Sequence, residues 1–133
     1  MTKLKTLLWI VAISQLALGA LTLLAPGAFF VWMGLTRPPA DNDYMLGMLA
    51  ARFLGYGIGM IALARSREPD PFWVRNMAFI QAVDFAVGLF YVALGTIPAT
   101  VAAFPMVNAA LFGGLLALWS RPEADNAGVP RPA

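Results

Sequence analysis

The stretch TLLWIVAISQLALGALTLLA, residues 6–25, carries no charged side chain, and at ~1.5 Å per residue it nearly spans the roughly 30 Å hydrocarbon core of a bilayer. Lys3 and Lys5 precede it, an order shared with signal peptides, but Pro26-Gly27 and a second apolar run stand where a small-residue cleavage site would be needed. The stretch therefore reads as a membrane crossing, ended by a proline that cannot continue the hydrogen-bond ladder and a glycine that tolerates the turn.

The rest of the chain agrees. Its 133 residues are 60% hydrophobic and 12% charged, against roughly 25% charged in a soluble domain, and the mean hydropathy is +0.73. Four crossings with short connections use nearly all of this length, which excludes a separate soluble catalytic domain. Cysteine and histidine are both absent. That removes disulfides, thiol nucleophiles, iron–sulfur clusters, Cys/His zinc sites and imidazole-held haem.

After the first crossing, AFFVWMGL (residues 28–35) is apolar but only about 12 Å long as a helix, too short to cross, so it is expected to lie in the interface. Arg37-Pro38-Pro39 returns the chain to water, and Asp41, Asn42 or Asp43 can cap the next helix. The remaining crossings are expected at about 44–64, 72–94 and 98–119. Asp70 and Pro71 suit an N-cap and first helical residue, Gly95 a left-handed stop, and Pro105 a local bend. Residues 121–133, rich in Pro, Asp, Asn and Gly, are expected to form a disordered cytoplasmic tail. The fold class is thus an all-α, antiparallel four-helix membrane bundle with a short interfacial segment between its first two crossings.

With four crossings both ends lie on one side. That side collects Lys3, Lys5, Arg65, Arg67, Arg75, Arg121 and Arg131, seven of nine basic residues, whereas the other has only Arg37. The positive-inside rule makes the termini cytoplasmic, in a bacterial inner membrane. With a net charge of +2 and no dense basic patch, nothing argues for a nucleic-acid partner.

Two charges do not report topology. Arg52 and Asp84 fall within crossings, as do the amides Gln15, Gln81 and Asn108. Counting ~1.5 Å per residue, Gln15 and Asp84 lie about 14 and 18 Å from the cytoplasmic side, Arg52 and Asn108 about 12 and 15 Å from the outer side. One polar residue from each helix therefore reaches a similar depth. A charge at the centre of a crossing costs roughly 2.5–3.5 kcal/mol, which favours an Arg52–Asp84 pair facing the bundle interior. Helical spacing puts Tyr56 on the Arg52 face, Gln81 and Tyr91 on the Asp84 face, and Phe104 on the Asn108 face. Such a layer either holds helices together or contacts a ligand or proton; Gln15 and Asn108 read more readily as glue between helices. Gly47, Ala51, Gly55 and Gly59 form a small-residue ladder suited to close approach of another helix, within the chain, in a homo-oligomer or in a larger complex.

Chemistry is restricted accordingly. No triad, paired carboxylate, phosphate loop or metal motif is present, so no metal or covalent cofactor is expected and enzymatic activity is the less favoured reading. Guanidinium and amide donors between apolar walls suit an amphipathic molecule such as a quinone, isoprenoid or lipid. The alternatives are a structural subunit docking through the glycine ladder, a dimeric transporter in which Asp84 exchanges a proton, and a lipid-directed enzyme using Asp84, Tyr56 or Tyr91 as acid and base. Gln15, standing where an acid in the first crossing would serve coupling, lowers the transporter reading.

The interfacial segment APGAFFVWMGL and the second crossing's Ala50-Ala51-Arg52-Phe53-Leu54-Gly55 resemble the DoxX-like group of small bacterial four-helix membrane proteins, loosely across all four crossings. The resemblance implies a quinone-linked membrane complex as context and adds weight to Arg52. It supplies no catalytic residue set, and any redox cofactor would belong to a partner.

Overall fold

A computed structural model describes residues 2–120. Every regular element among them is helical: α1 (Lys3–Leu24), α2 (Pro26–Met33), a 3-10 turn (Ala40–Asn42), α3 (Asp43–Arg65), α4 (Pro71–Ala93) and α5 (Ala99–Trp119). Helices α1, α3, α4 and α5 are long and apolar enough to cross a membrane, making this a multi-pass helical bundle. The tail expected at 121–133 lies outside the described residues.

Local chemistry sets the helix ends. The Thr2 hydroxyl accepts from Lys5 N at 3.4 Å to cap α1. Pro26 then opens α2, so the interfacial segment starts two residues before the expected position 28. Gly34 ends α2 with φ +68°, its N–H donating to Val31 O and that of Leu35 to Phe30 O, a Schellman arrangement. Gly95, at φ +70°, ends α4 in the same way: Gly95 N donates to Val92 O and Thr96 N to Tyr91 O. Asp70 Oδ1 accepts from Phe72 N at 2.9 Å, with Pro71 as first helical residue, as the sequence indicates. The start of α3 differs from expectation. Asn42 occupies the cap position without a side-chain capping bond, its Nδ2 donating back to Pro39 O at 3.4 Å, while Asp43 Oδ2 pairs with Arg37 Nη2 at 3.0 Å.

Packing divides the bundle into two pairs. Helix α1 lies along α3 and α4 along α5, while α1 also touches α2 and α5. Close approach in the first pair is set by Gly19 and Gly57. A methyl at Gly57 would stand 2.7 Å from Leu16 Cγ and 3.2 Å from the Ala12 carbonyl oxygen, and one at Gly19 would stand 2.8 Å from Leu54 Cγ. In the second pair, Gly88 admits Met106 and Gly113 admits Gln81. Helices α3 and α4, neighbours in sequence, are not a packed pair, contrary to the expectation that placed them side by side. The ladder of Gly47, Gly55 and Gly59 takes no part in internal packing, since a Cβ at any of the three would meet nothing within 4 Å. Ala51 of the same ladder is exposed.

The apolar core sits in the half of the bundle nearest the α3–α4 connection. Leu8 and Val11 of α1, Met60 of α3, Val74 and Met77 of α4, and Leu116 of α5 are each almost fully enclosed there. These residues come from the first half of α1 and α4 and the second half of α3 and α5, which antiparallel helices bring to one end. The other half of the bundle is where the polar side chains gather.

Candidate functional site

Gln15 of α1, Gln81 and Asp84 of α4 and Asn108 of α5 line one cavity of about 280 Å³. Gln15 and Gln81 are 7% and 3% exposed, and Asn108 is half-buried. Asp84 and Val87 are more exposed, so the cavity opens along α4. Among the described residues these four side chains form no hydrogen bonds with one another; their single contact of that kind is Gln81 Nε2 to Met77 Sδ at 3.9 Å. Enclosed amide groups are ordinarily paired, because an unmade hydrogen bond costs about 1–3 kcal/mol. Here the buried side-chain atom without a partner among the described residues is Asp43 Oδ1, so the amide atoms are not sealed off and keep open bonding capacity beside the cavity they line.

The walls are aromatic. Phe29, Trp32 and Met33 come from α2, Phe53 from α3, and Phe104 and Pro105 from α5, which runs continuously through its proline. Trp32 meets Phe104 edge to face at 5.6 Å between centroids, and Phe29 lies 6.4 Å from Trp32. Helix α2 is therefore more than an interfacial anchor, since one of its faces forms part of the site. The Arg37–Asp43 pair borders it. The guanidinium lies so close to the first turn of α2 that a Cβ at Gly27 would be 2.8 Å from Arg37 Nη1.

Arg52 is not part of this cavity. Its side chain is exposed, donates from Nη1 to Met48 O at 3.2 Å, and lines a separate groove with Gly55, Tyr56, Gly59, Met60, Leu63 and, from α4, Trp73. The expected Arg52–Asp84 pair is not formed, and the ion pair among the described residues is Arg37–Asp43. The reason lies in helix adjacency. Arg52 is thirteen residues from the Arg65 end of α3 and Asp84 thirteen from the Pro71 start of α4, so their depths do match. However, α3 turns its Ala50 and Gly57 face to α1, which leaves Arg52, two residues or about 200° from Ala50, on another side. Matching depth on two helices that do not pack gives no contact.

The tyrosines also separate. Tyr56 lies half-buried in the Arg52 groove, and Tyr91 is exposed, edge to face with Phe90 at 5.4 Å, in neither opening. Sequence reasoning thus finds four polar members of the cavity and misses most of its aromatic wall. Phe104 is recoverable from the Asn108 face. Phe53 is obscured because attention falls on its charged neighbour, and nothing in AFFVWMGL states which face of so short a helix turns inward. Among the described residues no cluster of acids suited to a metal ion occurs.

Fold and site together define a multi-pass membrane bundle with a polar, aromatic-walled cavity in one half. No family model, curated protein or solved structure matches the chain.

Proposed function

We propose that this protein binds an amphipathic, lipid-like molecule, with the ligand's polar head among Gln15, Gln81, Asp84 and Asn108. The observation that carries the reading is the convergence of these side chains, from three helices, on one cavity without partners among themselves. An apolar body would lie against Phe53, Phe104 and Val87, where the cavity opens along α4. Quinones, isoprenoids and lipids all combine such a head and body. With Arg52 outside the cavity, the amides rather than a guanidinium supply the donors.

The positive-inside distribution supports a bacterial inner-membrane setting with cytoplasmic termini, and the DoxX-like resemblance supports a quinone-linked complex as context. Native mass spectrometry of the gently solubilised chain should then reveal a retained lipid-like molecule, which Gln81→Leu with Asn108→Leu should remove. A parent chain that carries nothing under these conditions refutes the reading.

A second reading has its own observation. Gly47, Gly55 and Gly59 are open to approach on the free face of α3, which favours a structural subunit that docks another helix there. Associated subunits that survive Gly55→Leu would refute it.

A further inference from the structure

We infer that the cavity selects an amphiphile with a cationic head, a lipophilic amine or quaternary ammonium. This rests on the ligand-binding reading and specifies the ligand's charge. Among the described residues Asp84 is the single ionisable side chain lining the cavity, and no basic one lines it. Arg52, on α3, and Arg37, on the segment before it, are directed elsewhere, Arg52 to the Met48 carbonyl and Arg37 to Asp43. The Asp84 carboxyl thus borders the cavity with no basic neighbour in its described lining; exposed at the protein surface but midway along a crossing, it would face hydrocarbon, where an opposite charge on the guest interacts more strongly than in water.

The wall supports the same choice. Phe29, Trp32, Phe53 and Phe104 contribute four rings, and the negative face of an aromatic ring attracts a weakly hydrated cation. The enclosed amides of Gln15 and Gln81 have carbonyl oxygens able to accept from an ammonium N–H, and as dipoles they can orient toward a quaternary centre that has none. An anionic head, such as a fatty-acid carboxylate, would meet Asp84 as a like charge. A guest that only accepts hydrogen bonds could pair with Asp84 only when that carboxyl is protonated.

The test compares two probes of equal shape and opposite charge. Binding of tetraphenylphosphonium and tetraphenylborate to the full chain in dodecylmaltoside is measured by equilibrium dialysis, with protein-free micelles as reference and geranylgeraniol as a neutral amphiphile. The cation should bind at least about tenfold more tightly than the anion, a margin within the reach of one ion pair in a low dielectric. Asp84→Asn should remove that preference and Asp84→Glu retain it, while Trp32→Leu, which alters the wall for every guest, should weaken the cation by a larger factor than the alcohol. Equal binding of the two ions, or a preference that survives Asp84→Asn, overturns the inference. If geranylgeraniol binds while the cation is not favoured, only the charge assignment falls; if none of the three binds, the ligand-binding reading falls with it.

Discussion

Glycines two residues apart on one helix have opposite roles here, and only their surroundings distinguish them. Gly57 meets Leu16 and the Ala12 carbonyl across the α1–α3 contact, whereas Gly55 faces open space. Gly57→Leu should therefore force the two helices apart, lowering stability by about 1–3 kcal/mol in thermal or denaturant unfolding of the solubilised chain. Gly55→Leu should leave that transition close to the parent's. The sequence draws attention to Gly55, because the Gly47, Gly55, Gly59 spacing is conspicuous, whereas Gly57, which makes the close contact within the chain, falls off its register. Polar residues are easier to read: Gln15, Gln81, Asp84 and Asn108 stand out because each interrupts an apolar run, and their common depth follows from counting along the helices. Arg52 is equally conspicuous and yet lies elsewhere, since counting gives height along a helix but not the direction a side chain takes around the bundle.

Among the elements, the four crossings are legible to within a few residues because Pro26, Asp70-Pro71 and Gly95 mark their ends by known backbone chemistry. Helix α2 is legible in its existence and not in its role. It is only eight residues long, too short for its own periodicity to identify a buried face, and a contact bordering it is made between residues outside it. That contact is the Arg37–Asp43 pair beside Gly27. The pair is substantially exposed, so Arg37→Ala should cost global stability only about 0–1 kcal/mol. Its local effect should be larger. Hydrogen exchange followed by mass spectrometry should show faster exchange in residues 26–34, with α4 and α5 unchanged; equal protection of α2 in parent and variant would mean that Trp32–Phe104 packing alone holds it.

For the molecule as a whole, the absence of native cysteine offers a clean test of topology. Thr36→Cys, between α2 and α3, and Ser66→Cys, between α3 and α4, lie at opposite ends of α3 and should label with a membrane-impermeant maleimide from opposite sides. Labelling of both from the same face of intact cells would contradict four crossings. Hydropathy makes the number of crossings legible, but it does not determine which crossings touch, because lipid and a neighbouring helix are similar apolar surroundings for a leucine. Sequence order suggests α3 beside α4; the structure joins the two helix pairs through α1 and α5 instead. The molecule is thus bound like a book along one spine, with its fore-edge turned to the acyl chains. Met60 closes that edge at one end against the core that holds Val74 and Met77, so under the ligand-binding proposal a guest would come and go sideways through the other end, within the bilayer, and its residence time would respond to lateral pressure more than to the aqueous phase.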